Sequence, residues 1–277
     1  MASYKDVESS NFDGRPVFLY LFELNGLSWR YTSADRPVKA TLSGRSYDWE
    51  PQPIMDDGIR QSGETQADAM KLSMASSVPV AALYLGTPPA SPLTLSLFKK
   101  HEDSDDVILS YVGDVAQVDF PSPGTVEFSL VTLSATMDRM GLRLSWMRAC
   151  PYALYDSGCQ VDKSKYRVTA KVQSFGKGAV VLSTDLSAYG DDYFAGGFIE
   201  WNRAGRGIDR RGIEAHKGNN ISLMGMSDGF TEGDTVYLYP GCPRTATVCQ
   251  QRFNNLLNYG GVLHMPGDSP FSGKNFF

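Results

Sequence analysis

Along the first half of the chain apolar and polar positions alternate with period two, the pattern of strands that bury one face. "RPVFLYLFELNGLSWRYTS" is two β-rich runs meeting at Asn25-Gly26, a strong hairpin signal. "ATLSGRSYDWEP" repeats that logic around Ser43-Gly44, and "LTLSLFKK", "VILSYVGDVAQVDF" and "TVEFSLVTLSATM" continue the alternation. These runs predict a mainly β chain whose residues 1–145 form an antiparallel β-barrel or sandwich. The Pro-rich "LGTPPASPLTL" and the acidic "HEDSDD" read as exposed loops between strands.

Near "MDRMGLRLSWMRACPYALYDSGC" the alternation breaks, which places a domain boundary near residue 145. Residues 146–277 then read as a smaller, loop-rich β+α domain with a hairpin at "RVTAKVQSFGKGAVVLSTDL". Thr245 is a candidate N-cap, and helical spacing puts Cys249, Phe253, Leu256 and Leu257 on one face, with Gly260-Gly261 as the stop.

With 277 residues, 42% hydrophobic and 21% charged, the chain can bury a real core without disulfides. A formal charge of -5 argues against a protein that wraps nucleic acid, though not against one that lines a path for DNA. The amino end "MASYKDVESSNFDGRP" lacks a basic head and apolar run, so we expect no secretory signal and synthesis in the cytoplasm. "VFLYLFELNGL" is too short to cross a bilayer, and no membrane span is expected.

All four cysteines fall after the expected boundary. Cys150 and Cys159 are separated by eight residues, Cys242 and Cys249 by six. Ser157-Gly158 supplies a turn that can bring Cys159 back toward Cys150, and Pro151 and Pro243 stiffen the loops after Cys150 and Cys242. A helix amino end beside Cys249 favours an anionic thiolate centre. Four readings compete. Disulfides suit small secreted scaffolds more than a large chain made in a reducing compartment. Zinc takes four thiolates but usually at tighter spacing. An iron-sulfur cluster tolerates wider and less regular spacing. Four unrelated buried thiols are the plain alternative.

The segments "CPYALYDSGC" and "CPRTATVCQQRFNNLLNYGGVLHMPGDSPF" resemble the phage tail-tip hub family, which includes the minor tail protein L of lambda-like phages and the hub protein of gene transfer agents. The resemblance covers roughly residues 145–277; the amino half is similar only in length, β character and position. It implies that Cys150, Cys159, Cys242 and Cys249 hold a 4Fe-4S cluster acting mainly as a staple, with zinc as the alternative metal. It further implies a tail hub domain at 1–145 and a cluster domain at 146–277. The implied function is that of a non-enzymatic hub or baseplate protein at the virion tail tip, assembled in the host cytoplasm. There a homotrimeric ring would join the tail tube to the host-recognition or penetration apparatus. Implied neighbours are a distal tail protein, a central fibre or receptor-binding hub protein, a tail peptidase and a tape measure protein, with DNA passing through the lumen without specific binding.

A tail-associated cell-wall hydrolase is the rival class. A cysteine peptidase needs a base, and the chain offers His101, His216 and His264. His101 falls in the acidic run, His264 in the Gly- and Pro-bounded tail, and His216 reads as a solvent-facing loop residue. The acid pairs Asp56-Asp57, Asp105-Asp106 and Asp191-Asp192 read as hydrated turns rather than a glycosidase pair. Arg203, Arg206, Arg210 and Arg211 read as a solvated basic loop, and Phe276 and Phe277 as residues that dock on this chain or a neighbour.

Overall fold

The structure is a computed structural model that describes residues 4–10, 14–59, 70–102, 104–132, 144 and 146–265. The expected boundary at residue 145, Asp103 of the acidic run, the tail beyond Met265, and Phe276 and Phe277 with it lie outside the described residues. The chain divides into two compact units, one of residues 1–139 with Arg203–Asp209, the other of residues 140–202 with 210–277.

In the first unit a short helix α1 (Tyr4–Glu8) precedes β1 (Pro16–Leu24), β2 (Leu27–Thr32), β3 (Val38–Leu42), β4 (Arg45–Pro51), β5 (Ile54–Asp56) and β6 (Met70–Ala75). After α2 (Pro79–Ala82) come β7 (Thr94–His101), β8 (Val107–Ser122) and β9 (Thr125–Thr132). They form one open nine-stranded sheet in the order β3-β4-β2-β1-β7-β8-β9-β6-β5, antiparallel throughout except for the parallel β2–β4 pair. The first two expected hairpins are present: Leu24 pairs with Leu27 and Leu42 with Arg45. Asn25 and Gly26 (φ 49° and 82°), like Ser43 and Gly44 (φ 49° and 78°), adopt the left-handed geometry that matches strand twist.

Strand β1 is buried on both faces. Tyr20, Phe22 and Leu24 enter the main core with Leu72, Leu95, Phe128 and Leu130, while Val17 and Leu19 enter a second core with Ala40 and Trp49. The acidic run is not a simple exposed loop. His101 is a buried residue at the end of β7, its Nε2 2.8 Å from Glu8 Oε2. Glu102 pairs with Arg36 at 2.8 Å, and Ser104 is buried.

The second unit corrects the expectation of a barrel in the amino half and a loop-rich domain after it. Strands β10 (Val168–Gly176), β11 (Ala179–Leu182), β12 (Phe198–Arg203), β13 (Gly207–Lys217), β14 (Asn220–Leu223) and β15 (Thr235–Tyr239) close a barrel in the order β10-β11-β14-β13-β12-β15. Its strands alternate too, and the inward set Ala170, Val172, Val180, Leu182, Ile199, Trp201, Ile213, Ile221, Val236 and Leu238 is a core of its own. Short strands and bulges between Val172 and Ser174, and between Ile213 and Ala215, obscure that period in the sequence. The turn at Lys177-Gly178 is the expected one, with Gly176 paired to Ala179.

The basic stretch is another correction. Arg206 and Arg211 are buried. Within the first unit the Arg206 guanidinium donates to the carbonyls of Thr87 (2.7 Å) and Ala82 (3.1 Å), and the buried Asp209 accepts from the Ala90 amide (3.2 Å). In the second unit Arg211 lies 5.7 Å from the Trp201 ring centroid. Alternation at the start of β13 turns Asp209 and Arg211 inward, and at all three residues carbonyls, amides or rings replace water.

Candidate thiol site

The four cysteines are free thiols and line a single cavity of about 250 Å³ in the second unit. Cys249 is buried; the other three are half-buried. They arrive on two segments. The first runs from Cys150 through a tight turn in which Asp156 caps the return: its Oδ1 accepts from the Cys159 amide at 2.6 Å and its carbonyl from the Gln160 amide at 2.9 Å. Tyr155 and Gln160, at φ 69° and 58°, make the reversal. The second leaves β15, passes Cys242 and left-handed Arg244 (φ 61°), and enters α3 (Ala246–Phe253).

Thr245 caps α3 as expected, accepting from the Val248 amide at 3.4 Å, and Cys249 and Phe253 form its buried face. The rest of the expected face is wrong. The helix ends at Asn254 in the left-handed conformation (φ 47°, ψ 42°), and Leu257 beyond it is 102% exposed. Gly260 has a different task, since a Cβ there would come within 2.5 Å of the Tyr152 ring, and one at Gly158 within 2.7 Å. Tyr152 thus packs between a glycine of each segment.

Backbone bonds knit the segments together. The Cys150 amide donates to the Arg244 carbonyl at 3.0 Å and the Val262 amide to the Met147 carbonyl at 2.9 Å. The Tyr259 hydroxyl lies 2.7 Å from the Arg148 carbonyl and 3.1 Å from that of Arg244. Arg252, in the "QRF" run, donates from one nitrogen to the carbonyls of Gly241 (2.6 Å) and Tyr193 (3.1 Å), fixing α3 to the loop before Cys242. Tyr152, Arg252, Asn255 and Tyr259 were not singled out by sequence reasoning; glycines spaced to admit a ring and polar residues just past a helix end were the available signals.

Burial pushes the Cys242 thiol up, opposed by a hydrogen bond from the Arg244 amide and reinforced by Cys159 and Cys150. Burial also raises Cys249, with Cys242, Cys159 and Cys150 adding to the rise. The neighbouring sulfurs make Cys242 and Cys249 harder to ionise unless a cation compensates them. Among the described residues, no three or more His, Cys, Asp or Glu side chains are gathered tightly enough to hold a single metal ion. A zinc ion needs its sulfurs about 2.3 Å from one point. The cavity of about 250 Å³ that the four thiols line has room for a group larger than a single ion.

None of the described residues lining this cavity is a histidine, aspartate or glutamate. His216 is no loop residue: it is buried in β13, its Nε2 2.8 Å from the Gly218 carbonyl and its ring edge-on to Phe194. The acid pairs serve structure, Asp56 accepting from the Tyr20 hydroxyl at 2.7 Å, Asp57 from the Lys71 amide at 2.8 Å and Asp191 from the Gly218 amide at 3.2 Å.

Beside the cavity, Phe198 and Tyr239 stack at 4.6 Å, and Glu200, whose side chain is 8% exposed, meets Lys163 at 2.8 Å and Arg210 at 2.7 Å. Desolvation pushes the Glu200 carboxyl up, but hydrogen bonds from Lys163, Tyr239 and Arg210 outweigh it and hold the group below its ordinary value. A depressed folded value means that this contribution is full above the unfolded value and is lost as pH falls through the folded one. Glu200→Gln should therefore cost the second unit about 1–3 kcal/mol at neutral pH, with the deficit shrinking at acid pH. Urea unfolding across pH 3–7 measures it; a deficit independent of pH would contradict the assignment.

Comparison with known proteins adds two findings. A family model described as "Phage conserved hypothetical protein BR0599" matches residues 192–269, which include Cys242 and Cys249. No curated protein matches the chain. Among solved structures, a chain of "Virion of native gene transfer agent (GTA) particle" is similar at a TM-score of 0.78 and 18% identity, over 99% of this chain and 98% of that one. The two-unit fold described above is thus the fold of a chain in a gene transfer agent virion, over nearly the whole of both chains.

Proposed function

We propose that this chain is a structural protein of a phage-like virion, the hub at the tip of a long tail, and that Cys150, Cys159, Cys242 and Cys249 hold a 4Fe-4S cluster. The observation that carries the cluster is the convergence of four thiols from two distant segments on one cavity of about 250 Å³. The fold shared with a virion chain along nearly the full length supports the virion role, and the phage family match at 192–269 agrees with it. A bound cluster would supply four iron–thiolate bonds. The chain's own residues do the rest: Asp156 and Arg244 shape the two loops, Arg252 pins α3, and Tyr152 fills the space between segments. Among the described residues the cavity lining offers the thiols no imidazole or carboxylate as a base, which favours a staple over a cysteine hydrolase.

Purification without oxygen tests the cluster. The expected product is brown, with about four iron and four sulfide per chain. A colourless protein with stoichiometric zinc would reject the cluster and leave the zinc-stapled tail protein. The hub role carries its own expectation, three copies closing a ring on the tail by heterologous contacts. A map of the assembled tail tip checks it, and sixfold placement of the chain would contradict it.

A further inference from the structure

We infer that Asn255 is the positioning residue of the thiol site: it ties the two cysteine-bearing segments together and sets an amide donor against the Cys159 sulfur. The left-handed cap of α3 is Asn254, so Asn255 is not needed to end the helix. Its four polar groups are all engaged at the site. The side-chain Nδ2 donates to the Cys159 carbonyl at 2.5 Å and lies 3.9 Å from Cys159 Sγ. The backbone amide donates to the Cys249 carbonyl at 3.1 Å, and the backbone carbonyl accepts from Cys249 Sγ at 3.3 Å. Asn258 Nδ2 donates to Asn255 Oδ1 at 2.7 Å, which fixes the amide so that Nδ2 faces Cys159.

One residue thus holds a cysteine of each pair, 96 positions apart in the case of Cys159. The two kinds of contact differ in what they require. The Cys249 bond to the Asn255 carbonyl needs a thiol proton, which a ligating sulfur lacks. The Nδ2 donor to Cys159 needs none, and it is the contact that gains strength when the sulfur carries negative charge. Hydrogen bonds to ligating sulfurs tune both the orientation of the ligand and the potential of the centre. The donor half of the inference rests on the proposed cluster; the tie between segments does not.

Asn255→Asp keeps the size and the acceptor for Asn258 but loses the N–H donor; Asn255→Ala loses both; Asn254→Gly is the neighbouring control that a left-handed cap tolerates. Hydrogen exchange at the Cys159 and Gln160 amides, in the reduced chain with iron chelated, reads the tie. A redox titration of the loaded chain reads the donor. Both Asn255 variants should speed exchange about tenfold and shift the redox equilibrium about tenfold toward the oxidised form, ~59 mV for one electron; the control should move neither. Unchanged exchange overturns the inference, as does faster exchange with an unchanged potential, which would leave only a structural tie. A wild-type chain that takes up no iron rejects the cluster alone, and exchange still decides the tie.

Discussion

Gly241→Ala is expected to unfold the second unit or lower its stability by more than about 3 kcal/mol, above the usual cost of overpacking. A Cβ at this position would overlap the carbonyl oxygen and carbon of Ala195, and Gly197 faces the Tyr239 carbonyl in the same way. The obstacle is backbone on both sides, so no side chain can rotate away. The chain also cannot retreat. The Gly241 amide donates to the Tyr193 carbonyl at 3.3 Å, its own carbonyl accepts from Arg252 at 2.6 Å, and Cys242 is the next residue. Gly190→Ala is the matched control, since a Cβ there meets nothing within 4 Å and should be nearly neutral. Urea unfolding monitored by tryptophan fluorescence compares them, and equal midpoints for the two variants would show that the close approach relaxes without cost.

The first unit was more legible than the second because its strands are long and its turns carry Asn-Gly and Ser-Gly. A period of two over six residues, as in "TVEFSL" of β9, and a pair that accepts φ > 0 are both local properties. What closes a barrel is not local. Strands of four residues such as β11 and β14 contain too few repeats to establish a period, and closure depends on pairing β10 with β15 across more than sixty intervening positions. His216 is hidden by a similar irregularity: the bulge between Ile213 and Ala215 shifts the alternation of β13 and turns it inward beside Phe194. At the site the spacing of the four cysteines left four readings open and only the resemblance grouped them, whereas Thr245 was readable from capping chemistry. The helix end was not, because Asn254 competes with Gly260-Gly261 for the left-handed position and only tertiary packing against Tyr152 reveals what the glycines are for.

Serine at any one of Cys150, Cys159, Cys242 or Cys249 should destabilise the second unit while sparing the first, and the size of the loss should depend on metal. The two units have separate cores, one set around Phe22, Leu72 and Phe128 with the smaller set around Trp49, the other around Trp201, Phe194 and Leu238. A staple confined to the second unit therefore acts on a core of its own. In the reduced, metal-free chain the exchange of sulfur for oxygen is mild. Three of the cysteines are half-buried, and at Cys249 a hydroxyl can still donate to the Asn255 carbonyl, so a cost of about 1 kcal/mol or less is expected. With a cluster bound the comparison changes, because ligand-to-metal free energy is also folding free energy for the segments that supply the ligands. Loss of one thiolate should then cost several kcal/mol, roughly 3 or more. Limited proteolysis resolves the two cases: anaerobically purified wild type should resist cleavage in both units, and each variant should lose the second while a fragment near residues 1–132 persists. Chelating iron from the wild type should bring it down to the level of the variants. Variants that match wild type when both are loaded, or that lose both units together, would remove the staple from the account of this fold.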